Sequence, residues 1–120
     1  MARILAVDDS LSMRQMVSFT LKGAGHDVVE AVDGQDALNK ARNGQFDLIV
    51  TDVNMPIMDG ITFIKNLRSE ANYRFTPMLL LTTESAADKK AQGKAAGATG
   101  WIVKPFNPDQ LLSVISKVLS

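Results

Sequence analysis

Residues 48–60 read Leu48-Ile49-Val50-Thr51-Asp52-Val53-Asn54-Met55-Pro56-Ile57-Met58-Asp59-Gly60. The run 48–50 is continuously apolar, as are 4–7 and 78–81, which marks strands covered on both faces. It stops at an acid and is followed by turn residues. Along the whole chain, short β-rich runs alternate in this way with longer stretches of helical period, the pattern of a parallel sheet with crossover helices. Five strand and helix pairs are expected, with strands at 4–7, 27–31, 48–51, 78–82 and 101–103. The fold class is therefore α/β, a doubly wound five-stranded parallel sheet with helices on both faces.

Helix punctuation supports the division. Ser12-Met13-Arg14-Gln15 and Ser85-Ala86-Ala87-Asp88 have the form of capping boxes. Asn107-Pro108-Asp109-Gln110 sets a capping residue before a proline at the first helical position, where the missing N–H costs nothing. Gly25, Gly44 and Gly97 fall where helices should close in the left-handed conformation. The last helix carries Leu111, Leu112, Ile115, Val118 and Leu119 on one face and should pack firmly. Residues 86–96 offer only alanines as apolar content, so that helix is expected to be loosely anchored and comparatively mobile.

Composition narrows the function. At 120 residues and 46% hydrophobic, one domain spanning 1–120 is expected, with no room for a second. The 13 basic and 13 acidic side chains cancel and form no long block, which argues against nucleic-acid or membrane binding. Cysteine is absent, which excludes disulfides, thiolate zinc sites and a cysteine nucleophile. The opening residues lack an export signal, and no apolar stretch is long enough to span a bilayer, so a cytoplasmic location is expected.

In an open parallel sheet, ligands gather beyond the carboxyl ends of the strands. The first strand delivers Asp8-Asp9 there, the third Asp52, the fourth Thr82-Thr83-Glu84 and the fifth Lys104-Pro105. The second delivers nothing comparable, as a far edge strand might. Carboxylates meeting on one rim repel, by roughly 4 kcal/mol for a pair about 4 Å apart at an effective dielectric near 20. Something cationic must sit among them. Lys104 supplies one charge, and an oxygen-rich pocket suits a hard ion such as Mg²⁺. Taken singly, Asp8-Asp9 reads equally as capping acids, Asp52 as part of an acidic loop, Thr82 as a strand-end hydroxyl and Lys104 as a surface turn. Their coincidence at four strand ends of one rim favours a site.

As an ordered set, Val7-Asp8-Asp9-Ser10, Thr51-Asp52-Val53-Asn54-Met55-Pro56 with Asp59-Gly60, Leu81-Thr82 and Val103-Lys104-Pro105-Phe106 resemble the receiver domains of two-component response regulators, and in particular the single-domain chemotaxis type. The likeness covers the whole chain. It implies a flavodoxin-like strand order 2-1-3-4-5, with Asp52 as phosphoacceptor. It also implies Mg²⁺ ligation by Asp9, Asp52 and the Asn54 carbonyl, with Asp8 acting chiefly through water. Thr82 and Lys104 would each hold a phosphoryl oxygen, with the Lys104-Pro105 peptide cis. Asn54 and Glu84 would tune hydrolysis.

The family's switch couples Thr82 to an aromatic residue on the fifth strand. Trp101 takes that position where tyrosine, phenylalanine or histidine is usual, so it reads either as a switch or as a partly exposed interface residue. His26 reads as structural or exposed. The implied partners are a histidine kinase as donor, a target protein that binds only the phosphorylated form, such as a flagellar motor switch, and a phosphatase. The chain itself would be a monomer that is no enzyme beyond assisting its own phosphorylation and dephosphorylation. The expected output face is made by the helix at 86–96, the Trp101 strand and the last helix, and Lys89, Lys90 and Lys94 give it a basic character, suited to an acidic partner. A phosphorelay intermediate or a pilus-motility regulator fits the same motifs. A haloacid dehalogenase type phosphohydrolase fits less well, because it needs Asp-x-Asp after the first strand and usually a longer chain. A flavodoxin lacks its phosphate-cradling loop here.

Overall fold

Successive side chains of a strand point to opposite faces, so a strand that is apolar at every position needs a cover on both sides. The computed structural model of the chain, which describes residues 2–83 and 87–119, supplies both. In chain order the elements are β1 (Arg3–Val7), α1 (Leu11–Gly23), β2 (Asp27–Ala31), α2 (Gly34–Arg42), β3 (Leu48–Asp52), α3 (Gly60–Arg68), a 3₁₀ turn (Ala71–Tyr73), β4 (Met78–Thr82), α4 (Ala87–Ala96), β5 (Gly100–Val103) and α5 (Pro108–Leu119). All strand pairs are parallel, in the order β2-β1-β3-β4-β5. Leu5, Val7, Ile49 and Leu80 face one apolar layer with Leu38, Phe63 and Leu67. Ile4, Ala6, Val50 and Leu79 face the other with Val17, Leu21, Leu111 and Ile115.

The expected strands are found, with β1, β3 and β5 each one residue longer. On α5, Leu111 and Ile115 are fully buried, and Leu112, Val118 and Leu119 flank them. Its start is a reciprocal cap: the Gln110 N–H donates to Asn107 Oδ1 and the Asn107 N–H to Gln110 Oε1, both at 2.8 Å. Each satisfies a backbone donor that a helix end leaves free.

Two expectations are corrected. The cap of α1 is Ser10, whose Oγ accepts from the Met13 N–H at 3.4 Å. The helix begins at Leu11, which places Ser12 already inside the first turn. Gly25 and Gly97 are left-handed, with φ of 92° and 108°, but Gly44 is not. Asn43 ends α2 in its place, with its backbone N–H and its side-chain amide both donating to the Asn39 carbonyl. The expected cap at Ser85 and the residue Glu84 lie outside the described residues, as does the Lys89 side chain. On α4 the buried positions among those described are Gly93 and Ala96, so its approach to the sheet rests on small residues.

Ile57 stands alone among the described non-glycine residues in having a positive φ, 71°. The Met58 N–H closes onto the Pro56 carbonyl at 2.7 Å, a three-residue turn centred on Ile57. A β-branched side chain is strained there, and this one is 82% exposed, so packing gives little back. Replacing Ile57 with Asn, which tolerates the left-handed region, should raise stability by roughly 1 kcal/mol. Urea unfolding checks this, and an unchanged or lower midpoint would show that the turn is unstrained.

Candidate functional site

Parallel register brings the expected residues together at one rim. Val7 pairs with Thr51 and Asp52 with Leu81, so Asp8 continues β1 level with Asp52. Thr82 pairs with Val103, one step further on, and Lys104 follows. The Lys104 N–H donates to the Thr82 carbonyl at 2.7 Å, and the Lys104-Pro105 peptide is cis. The Lys104 ammonium then lies 3.0 Å from Asp52 Oδ1 and 3.6 Å from Asp8 Oδ2. The Val53 N–H also donates to Asp52 Oδ1, at 3.0 Å, so two donors fix that carboxylate plane.

Asp8, Asp9 and Asp52 each place a carboxylate oxygen within 4.8 Å of the others. Asp8 is buried, Asp52 half-buried and Asp9 exposed. Asp8 Oδ1 accepts the Ser10 N–H at 2.9 Å, whereas its buried Oδ2 accepts no hydrogen bond among the described residues. Its charge is met by the Lys104 ammonium at 3.6 Å alone among the described residues, and a buried anionic oxygen that accepts no hydrogen bond is costly. Together with two further carboxylates this donor set fits a hard divalent cation.

Glycine at position 60 is a packing requirement. A Cβ there would collide with the Asp52 carbonyl oxygen, and the Gly60 N–H donates to the Val53 carbonyl at 2.8 Å. Asp59 caps the same helix through the Thr62 N–H at 2.7 Å. Helix α3 thus begins directly against the strand end that carries Asp52.

Thr82 is buried beside this cluster at the end of β4, and Asn54 is exposed two residues beyond Asp52. Trp101 is not gathered into it. The indole is 36% exposed on the outer side of β5, with the Lys90 ammonium 5.1 Å from its ring centre, a cation–π distance. Trp101 also borders a groove of about 550 Å³ between β5 and α5, with Phe106 and Val114. His26 lies elsewhere, its Nδ1 accepting the Ala2 N–H at 3.1 Å. A groove of about 750 Å³ also lies there, between Ala2, His26, Asp47 and Leu112, and the acid cluster found among the described residues is not part of it.

Sequence reasoning missed Arg14 and Glu30. Arg14 appeared only as the third residue of a misplaced cap, and Glu30 as part of a strand that delivers nothing. The Arg14 guanidinium in fact joins Glu30 Oε1, at 3.0 Å, to the Asp8 carbonyl, at 2.7 Å. A single arginine one turn into α1 was the signal available.

Comparison with known proteins agrees with this geometry. Residues 4–116 match the family model of the response regulator receiver domain, and the chain belongs to that family. It is 38% identical over 117 residues to chemotaxis protein CheY-3 of Vibrio cholerae, covering 97% of this chain and 90% of the relative. It is 37% identical to chemotaxis protein CheY of Pseudomonas aeruginosa, covering 97% and 94%. The solved structure of chemotaxis response regulator CheY4 of Vibrio cholerae superposes with a TM-score of 0.96 at 57% identity, covering 99% of each chain. No helix among the described residues is long and apolar enough to cross a membrane.

Burial pushes the Asp8 carboxyl above its ordinary value. The Ser10 N–H opposes this, the Asp52 charge adds to it, Lys104 opposes it and Asp9 adds to it. A carboxyl raised in the folded state binds its proton more readily there than in the unfolded chain, so ionised Asp8 opposes folding above the raised value. The penalty fades as pH falls to the ordinary aspartate range near about 4. In EDTA, Asp8→Asn should raise the urea midpoint at pH 7, and the gain should shrink on acidification through that window. Equal midpoints at pH 7 would refute it.

Proposed function

We propose that this protein is a cytoplasmic, monomeric response regulator of chemotaxis that accepts a phosphoryl group on Asp52 from the phosphohistidine of a kinase. One observation carries this reading. The Lys104 ammonium is held between Asp52 and Asp8, at 3.0 and 3.6 Å, inside a cluster of three acids that matches the receiver motifs. An anionic cluster is unfavourable by itself and is useful where an electrophilic, highly charged group must be received with cations on hand.

In the transfer, an Asp52 oxygen bonds to phosphorus while the P–N bond of the donor breaks and imidazole departs. Lys104 pairs with one phosphoryl oxygen and the Thr82 hydroxyl hydrogen-bonds another, so the charge brought in is met by groups already in place. Asp9, Asp52 and the Asn54 carbonyl would hold Mg²⁺, with Asp8 at its second coordination sphere. The ion supplies charge neutralisation for the incoming phosphoryl group. Loss of the acyl phosphate by hydrolysis, aided by a phosphatase, resets the protein, and no small-molecule substrate is turned over.

The output surface is the side formed by α4, β5 and α5, where Trp101 borders the groove and carries the Lys90 ammonium over its ring, and where α4 also bears the exposed Lys94. An acidic segment of a target such as a flagellar motor switch suits that surface. The named relatives of Vibrio cholerae and Pseudomonas aeruginosa are chemotaxis proteins, which supports this assignment over a relay intermediate.

Incubation with labelled acetyl phosphate and Mg²⁺ should give incorporation of up to one phosphoryl group per chain, abolished by Asp52→Asn. Sustained phosphate release from monoesters would identify a phosphohydrolase instead, and undiminished labelling of Asp52→Asn would remove the proposed acceptor. Beryllofluoride with Mg²⁺ should shift the emission of Trp101, the sole tryptophan, as the indole leaves Lys90. An unchanged spectrum with demonstrated binding would show that Trp101 takes no part in the switch.

A further inference from the structure

We infer that Arg14, braced by Glu30, is a positioning residue that sets the direction of the Asp8 and Asp9 carboxylates for the cation. This deepens the receiver reading and rests on it. The Asp8 carbonyl belongs to the peptide unit that joins Asp8 to Asp9. Its orientation is set by ψ of Asp8 and φ of Asp9, so a donor that holds this carbonyl restricts the backbone from which both side chains start. At the end of β1 the Asp8 N–H is held by the Ala31 carbonyl at 3.1 Å. Arg14 Nη1 holds the Asp8 carbonyl at 2.7 Å.

Arginine suits this place because its planar fork donates in two fixed directions. Nε is spent on Glu30 Oε1 at 3.0 Å, which fixes the guanidinium plane and aims Nη1 at the carbonyl. The Arg14 side chain is only 12% exposed and that of Glu30 34%. The bridge is therefore shielded, and it ties three elements together: α1, the end of β1 and β2. It also gives the edge strand β2 a part in the site. Arg14 and Glu30 offset each other in charge, so the pair acts on the site through geometry. The Asp8 side chain is already tied through Oδ1 to Ser10. With its backbone fixed as well, Asp8 Oδ2 has one direction available to it.

Removal of an outer partner that orients metal ligands characteristically weakens metal affinity by about 10- to 100-fold. Mg²⁺ titration followed by the backbone amide signals of Asp9 and Asn54 should give wild-type saturation and, for Arg14→Gln, at least about tenfold weaker binding. Arg14→Lys, which reaches one acceptor at a time, should recover only part of the loss. Glu30→Gln keeps Arg14 but loosens its brace, and should weaken Mg²⁺ binding in the same direction by a smaller factor. It decides the matter if Arg14→Gln does not fold. A role in stability alone would lower the urea midpoint and leave Mg²⁺ affinity of the folded protein at the wild-type value, which would overturn the inference. Failure of the wild type to bind Mg²⁺ would instead overturn the receiver reading, and this inference with it.

Discussion

Three carboxylate oxygens within 4.8 Å of one another are the constraint to which the rest of this structure answers. Two ionised acids at that separation repel by roughly 3 kcal/mol at an effective dielectric near 20. One ammonium, that of Lys104, stands against them. The cluster persists because its members sit on backbone that has no freedom to part. Asp8 continues β1, Asp52 ends β3, and the strands are locked by the ladder and by apolar layers above and below. Stability built in the sheet interior is what permits an unfavourable rim.

Much of that was legible in the sequence, for a physical reason. A strand buried on both faces must be apolar throughout, and residues 4–7, 48–50 and 78–81 have no other economical explanation. Parallel topology then delivers every strand's last residue to the same edge, so the acids, the hydroxyl and the lysine could be placed together without knowing one distance. Local chemistry was legible at Asn107 and Gln110 for the same reason: both partners of that cap lie within one turn.

What stayed hidden was long-range or depended on exact helix phase. Arg14 and Glu30 are 16 residues apart and sit on different elements, so no spacing rule joins them. The stacking of Lys90 on Trp101 requires the distance between α4 and β5, which neither segment encodes alone. Ser12 and Ser10 are chemically identical candidates for a cap, and the choice is made by where β1 ends. Gly44 carried the right residue type, but Asn43 had already turned the chain by bonding back to Asn39.

The abutment of Gly60 on the Asp52 carbonyl carries a lesson for reading mutational tolerance in this fold. A saturation library at position 60 would return almost nothing but the parental codon, although no ligand, proton or phosphorus atom passes through that residue. Intolerance there measures a steric border between helix and strand. Ranking positions by how little variation they permit would place this border beside Asp52, the proposed phosphoacceptor, and mistake a spacer for a reagent.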